Sequence, residues 1–168
     1  MYAKIADFVV DWKRESAGTA KVLDALTDAS LAQQVSKDDD RTLGGIAWHI
    51  VTAIPEMLGR TGLSAKSLAA HAPMPAHASD IAAAYRSVAG EVLSLVQSQW
   101  NDAALAVEDD MYGMKWARGL TLEVLQRHEI HHRAQMTILM RQAGLKVPGV
   151  YGPSREEWEQ RGMKPPKN

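Results

Sequence analysis

The sequence predicts an all-α protein, a four-helix bundle with a short C-terminal helix added. Two observations carry that expectation. Four long stretches repeat their apolar residues at the 3.6-residue period of a helix, and none shows the strict alternation of a half-buried strand. Amphipathic helices of this length bury their stripes most simply against one another. With 168 residues, the chain fits a single domain, expected over residues 1–163, and is long enough to enclose a core.

The first helix is expected over about residues 3–26. Ile5, Phe8, Val9, Trp12, Ser16, Ala20, Leu23 and Leu26 fall along one side, with Asp11, Lys13, Arg14 and Lys21 largely opposite. Residues 28–41 are polar, and the run Asp38-Asp39-Asp40 reads as a solvated loop. Thr42 is a natural N-cap for a second helix that runs to residue 58 and stops near Gly59 or Gly62. Pro55 lies inside that pattern and is expected to kink or shorten the helix.

A loop rich in proline and alanine follows, over residues 69–79. Ser79 or Asp80 can cap the third helix, which carries Ile81, Ala84, Tyr85, Val88, Val92, Leu95 and Val96. Residues 101–120 are ambiguous, with 111–116 reading as an extended connection. The fourth helix is expected over about 121–143, closed by Gly144 with Pro148 beyond. Ser154-x-x-Glu157 is a capping box that starts the short last helix, Gly162 stops it, and residues 164–168 read as a frayed tail. No internal repeat is evident.

Composition narrows the function. Hydrophobic residues at 46% and charged residues at 23% are those of a folded globular chain, not a disordered one. A net charge of −1 offers no electrostatic footing for nucleic acid or an anionic membrane. No uninterrupted apolar run approaches the roughly 18 residues a transmembrane helix needs. Asp7 interrupts the N-terminal stretch where a secretory leader requires an apolar run, so a cytoplasmic location is expected. Cysteine is absent. Disulfides, thiolate metal sites and a catalytic cysteine are thereby excluded. A nucleophile must come from a metal-bound water, a hydroxyl or carboxylate, or a substrate bearing its own thiol.

The chemistry concentrates in Arg127-His128-Glu129-Ile130-His131-His132-Arg133-Ala134-Gln135. His128 and His132 are four residues apart, which puts both imidazoles on one helix face about 5–6 Å apart. With Leu125, Met136, Leu139 and Ala143 they form a stripe expected to face the core, while His131 points about 100° away. His49 lies at the edge of the second helix's apolar stripe, near Ile46, Ala53 and Glu56. If the two helices pack side by side, three neutral imidazoles converge on one divalent metal and leave coordination positions open, which is the arrangement of catalytic sites. The plainer alternative is a set of core histidines satisfied by hydrogen bonds. Two imidazoles a turn apart without a common partner are costly to bury, and a third inward histidine weighs further against it. His71 and His77, in the proline-containing loop, read as surface residues.

Two other motifs compete. His128-Glu129-x-x-His132 matches the zincin pattern, in which the glutamate is the general base of a metallopeptidase. Its extended form fails, because Gln135 and Ile138 stand where glycine and histidine are required; Glu156, Glu157 and Glu159 are available as downstream ligands. Glu129-x-x-His132 is also half of a di-iron carboxylate site, but the second copy is missing. Glu129 is offset by about 100° from His128, which suits orienting a ligand from behind or, equally, pairing on the surface with Arg133. Trp48 and Tyr112 read as packing residues or as pocket walls.

Beyond these motifs, Arg41-Thr42-Leu43-Gly44-Gly45-Ile46-Ala47-Trp48-His49-Ile50, the His128-to-Met136 segment, Arg141-Gln142-Ala143-Gly144-Leu145 and Val150-Tyr151-Gly152-Pro153 together resemble the DinB/YfiT-like family over nearly the whole chain. The family's hallmark histidines map onto His49, His128 and His132. Arg133 and Gln135 also match, and Ala134 replaces the usual glycine between them. The resemblance implies a four-helix bundle, a divalent metal (zinc or nickel) held by these three histidines and water, and a homodimer. It further implies either a thiol-dependent S-transferase using a low-molecular-weight thiol cosubstrate or a metal-dependent hydrolase, acting on a small-molecule substrate. A non-catalytic stress-response or interaction module, in which the metal is structural, is the alternative, and a metal-free bundle is a third. No catalytic residue is assigned beyond the metal ligands.

Overall fold

A computed structural model describes residues 1–166. It is mostly helical, with four long helices and one short one: α1 (Ile5–Asp24), α2 (Leu43–Arg60), α3 (Ala78–Gln99), α4 (Arg118–Gln142) and α5 (Arg155–Gln160). Two antiparallel hairpins accompany them, β1 (Gln34–Ser36) with β2 (Asp39–Thr42) and β3 (Glu108–Met111) with β4 (Met114–Ala117). The purely helical expectation is corrected here. The Asp38–Asp40 run covers the turn and the start of β2 in the first hairpin, and residues 111–116 form the turn and inner rungs of the second. Three- and four-residue strands are too short to show a period-2 pattern, so they left no legible signal.

The four long helices close a ring of contacts, α1 against α3 and α4, and α2 against the same two. One apolar cluster fills the space between them and runs from Phe8 to Val147. Phe8, Trp12, Ile50, Ile54, Tyr85 and Leu122 are essentially inaccessible within it. Trp12 also donates its indole N–H to the Ala89 carbonyl at 3.0 Å, joining α1 to α3.

A repeat that the sequence does not advertise is plain in the order of elements. Each half runs long helix, 3-10 turn, hairpin, long helix. The two 3-10 turns read Asp28-Ala29-Ser30-Leu31-Ala32 and Asp102-Ala103-Ala104-Leu105-Ala106, capped by the side chains of Thr27 and Asn101 respectively. Each hairpin therefore leads directly into a helix that carries candidate histidines.

Helix ends follow the local signals in part. Thr42 caps α2 by accepting the Gly45 N–H, Ser154 and Glu157 form the expected capping box, and Gly62, Gly144 and Gly162 take left-handed backbone past three helix ends. Pro55 does not shorten α2, which continues through it to Arg60. The helix α3 begins at Ala78, ahead of Ser79 and Asp80, because its cap comes from elsewhere. Asp28 accepts the Ala78 N–H at 2.8 Å and pairs with His77 Nδ1 at 2.8 Å. Of the expected C-terminal tail, residues 164–166 carry no regular structure, and 167–168 lie outside the described residues.

The charged part of the interior was not anticipated. Glu15, Thr19, Glu129 and Arg133 are all buried between α1 and α4. The Arg133 guanidinium donates to Glu15 Oε2 at 2.7 Å, to the Glu15 carbonyl at 2.9 Å, to Thr19 Oγ1 at 3.1 Å and to the Tyr151 hydroxyl at 2.7 Å. Gly18 makes room for it, since a Cβ there would sit 2.8 Å from Val150 and 3.1 Å from Arg133. Burial pushes the Glu15 carboxyl up, but hydrogen bonds from Tyr151, Arg133 and Arg14 outweigh it and hold the group below its ordinary value.

Removing one partner of such a pair strands a buried charge, at a cost of about 3–5 kcal/mol. Arg133→Met is therefore expected to lower unfolding stability by about that amount in denaturant titration, and Glu15→Gln to do so by less, because a neutral amide still accepts hydrogen bonds.

Candidate metal centre

Helices α2 and α4 pack side by side and bring His49 opposite His128 and His132. His128 Nε2 lies 3.0 Å from His49 Nε2 and 3.1 Å from His132 Nε2, and the three ring centroids are 4.4–4.8 Å apart. The two Nε2 separations at His128 fall inside the roughly 4 Å that two metal–nitrogen bonds of about 2.0–2.1 Å can span, and all three ligand atoms lie within 4.8 Å of one another. Hydrogen bonding satisfies such a trio poorly. Each contact needs one nitrogen protonated and the other not, and His128 Nε2 is shared by both contacts. A cation satisfies all three lone pairs at once, so the donor set fits a divalent ion. Among the described residues this is the one group of histidine, aspartate or glutamate side chains gathered closely enough to hold a metal.

The surroundings prepare the imidazoles as ligands. His132 Nδ1–H donates to Gln135 Oε1 at 2.7 Å, which fixes the tautomer that leaves Nε2 free. The Gln135 amide in turn donates to His131 Nε2 at 3.1 Å. His131 thus stays out of the triad, as its angle on the helix predicts, and steadies the residue that orients His132. Burial, reinforced by the neighbouring imidazoles, pulls His128 down to about 4, and burial also lowers His49 and His132. All three are neutral at pH 7, the state a metal requires.

The inward stripe of α4 differs from the expected one. Leu122, Leu125, Gln126, Glu129, Arg133, Met136 and Met140 face the core, whereas His128 and His132 are half-buried and His49 is exposed. The stripe passes through Glu129 and Arg133, a residue beyond each histidine, so the triad sits on the flank facing α2. Burying a guanidinium and a carboxylate runs against every hydrophobicity pattern, which is why periodicity pointed to the wrong face. The consequence is access. The triad opens on one side to a cleft of about 500 Å³, bounded by α2, α4 and the second hairpin, and on the other to one of about 830 Å³ beside Asp38, Asp39 and Arg41 of the first hairpin.

Glu129 is neither a surface partner for Arg133 nor a base facing these clefts. It is 1% exposed, and its Oε1 accepts hydrogen bonds from Thr19 at 2.7 Å and Tyr85 at 2.9 Å, with Oε2 buried and unpaired. Burial raises its carboxyl above the ordinary range. The zincin reading asks this carboxylate to meet solvent on the metal, and its placement in the core removes the geometry for that.

Of the other residues singled out, Trp48 is a packing residue whose indole N–H donates to the Ala72 carbonyl at 2.8 Å. His77 is exposed and spent on Asp28. His71 is also exposed, but it lines the cleft beside His49. Tyr112 lines it too, from the tip of the second hairpin. Its hydroxyl donates to Glu56 Oε2 at 2.5 Å, Arg60 Nε donates to Glu56 Oε1 at 2.6 Å, and the Arg60 guanidinium lies 4.2 Å above the Tyr112 ring. Burial works against the Glu56 charge, yet the hydrogen bonds from Tyr112 and Arg60 prevail and hold its carboxyl below the ordinary value, while burial and Glu56 push Tyr112 up to about 12. The available sequence signal for Glu56 was its spacing of seven from His49, two turns along one helix face. For Gln135 it was the spacing of three from His132.

Comparison with known proteins follows the same lines. The profile of the DinB family matches residues 1–164. The uncharacterized protein YrdA of Bacillus subtilis (strain 168) is 40% identical over 167 residues, covering 99% of both chains. A solved DinB-like protein from Bacillus cereus ATCC 10987 superposes with a TM-score of 0.85 at 45% identity, over 90% of this chain and 100% of its own. The DinB-like protein YjoA of Bacillus subtilis, at 15% identity, shares the fold with a TM-score of 0.68 over 86% of this chain and 96% of its own.

A folded-state value depressed below the unfolded one means the unfolded chain binds more protons as pH falls, so the contribution of His128 to stability is present above about 6.5 and lost as pH drops towards 4. In metal-free protein the His128 ring signals are therefore expected to titrate near pH 4 by NMR. A midpoint at the ordinary histidine value would contradict the packed triad.

Proposed function

The chain belongs to the DinB family, and on that footing we propose that it is a divalent-metal protein whose His49–His128–His132 centre acts enzymatically on a small molecule. It is built as a four-helix bundle elaborated by two hairpins. The observation that carries the reading is the convergence of three Nε2 atoms from two helices at 3.0 and 3.1 Å, on a flank open to solvent. Zinc or nickel is the ion that an all-imidazole set with open positions suits best. Such an ion, when bound, supplies a Lewis acid that polarises an electrophile and lowers the pKa of a water or thiol.

The chain's own groups divide the remaining work. Gln135 keeps the His132 lone pair aimed at the centre. The apolar side chains of Ala53, Met57 and Val124 in the 500 Å³ cleft displace water from a bound molecule. No cysteine is present, so a thiol reaction takes its sulfur from a small-molecule cosubstrate, and S-transfer or hydrolysis is the reaction class that follows. The catalytic reading is favoured over a purely structural metal because closed structural sites use four protein ligands and three are gathered here among the described residues.

Metal analysis by plasma mass spectrometry is expected to find about one divalent ion per chain, absent from His49→Ala and His132→Ala while both remain helical. A wild-type protein that takes up neither zinc nor nickel would overturn the assignment. Gln135→Leu keeps the ligands but frees the His132 ring, and zinc affinity is expected to fall by about 10–100-fold in a competition titration.

A further inference from the structure

The cleft that leaves the triad between α2 and the second hairpin has a chemical polarity of its own. Along the face of α2 that starts at His49 stand Thr52 and then Glu56, the latter two helical turns on, about 10 Å along the axis. The hydroxyl proton of Thr52 is spent on the Trp48 carbonyl at 3.1 Å, so its oxygen meets the cleft as an acceptor. The phenol proton of Tyr112 is spent on Glu56, so its oxygen is an acceptor as well. Glu56 is an acceptor by nature, and each of its oxygens keeps a lone pair beyond the one taken by Tyr112 or Arg60. Arg60 forms an ion pair with Glu56 Oε1 at 2.6 Å and covers the Tyr112 ring, but it is not part of the cleft lining. Between this polar end and the triad, the walls are Ala53, Met57, Ala70 and Val124, with the exposed His71, a donor or an acceptor according to its tautomer, also at the rim.

The backbone of Tyr112 shows that the arrangement is imposed. Tyr112 and Gly113 form the two-residue turn of the β3–β4 hairpin, and Tyr112 has φ 60°, the only positive φ at a residue other than glycine among the described residues. A turn of this kind prefers asparagine, aspartate or glycine there. A tyrosine is poorly suited to the turn, but here it delivers a phenol across the cleft to Glu56.

We propose that this cleft holds the substrate of the triad and selects molecules carrying a protonated amine, with Glu56 and Tyr112 receiving that amine about two helical turns from the histidines. The proposal rests on the metal reading, because it takes the triad as the anchor for the other end of the molecule. Glu56, shared with Arg60, offers its remaining carboxylate lone pairs to the amine, Tyr112 holds the carboxylate in place, and the apolar walls suit a short hydrocarbon link between the two ends.

The test uses two probes of equal length, 6-aminohexane-1-thiol and 6-mercaptohexanoate, titrated calorimetrically into the zinc-loaded protein. The aminothiol is expected to bind at least about tenfold more tightly, the scale of one charge-assisted hydrogen bond. Glu56→Gln is expected to abolish that preference while zinc content and melting temperature are unchanged, and Tyr112→Phe to reduce it. Equal affinities in the wild type, or a preference that survives Glu56→Gln, overturn the proposal. A second arm works without metal. Hexylamine is expected to shift the backbone amide signals of Glu56 and Gly113 in metal-free wild type and not in Glu56→Gln, and absence of that shift in the wild type also counts against it. Failure to load zinc overturns the metal reading instead, and the hexylamine arm then decides the amine site alone.

Discussion

The buried contact between Arg133 and Glu15 sets the rotation of α4, and most of the structure follows from that rotation. A guanidinium with its charge neutralised by Glu15, and bonded further to the Glu15 carbonyl, Thr19 and Tyr151, can be satisfied in one orientation only. Glu129, one turn earlier, is drawn to the same side by Thr19 and Tyr85. With these two residues facing the core, His128 and His132 turn about 100° aside, towards α2 and towards solvent. Had the histidines taken the core stripe, their lone pairs would converge where no substrate could follow. The same network ties down the segment after α4, since Tyr151 donates to Glu15 and accepts from Arg133.

The repeated order of helix, 3-10 turn, hairpin and helix gives the centre its walls. Each half contributes a helix with at least one histidine of the triad and a hairpin that stands beside it, so the triad lies between two hairpins as well as between two helices. The halves are chemically unlike. The first hairpin presents Asp38, Asp39 and Arg41 to the cleft beside His132, and the second presents Tyr112 to the cleft beside His128. The triad is thus reached by two clefts of different character.

Electrostatics in the triad favours a metal through the state it maintains. Burial, joined at His128 and His132 by repulsion from neighbouring imidazoles, keeps the three rings neutral at pH 7, and the proton on His132 Nδ1 is donated to Gln135 in a hydrogen bond. The cost of gathering unprotonated nitrogens is carried by the packing of α2 against α4, so the site is organised ahead of any ion.

The amino-acid sequence by itself determined the four long helices, the short last one, the three histidines and several caps, because the helical period, the spacing of four and capping boxes are local properties readable within a few residues. Thr42, Ser154 and the glycines after α2, α4 and α5 all act where the chain places them. What the tertiary structure decided was each feature that depends on a distant partner. The start of α3 is set by Asp28, fifty residues away. The inward face of α4 is set by Glu15, Thr19 and Tyr85, whose distant side chains let charged groups occupy core positions. The hairpins form from strands too short to have a period, and Glu56 meets the Tyr112 hydroxyl only because the second hairpin carries it across to α2. Periodicity reports which residues are apolar. Which polar residues are buried is settled by the partners the fold brings to them.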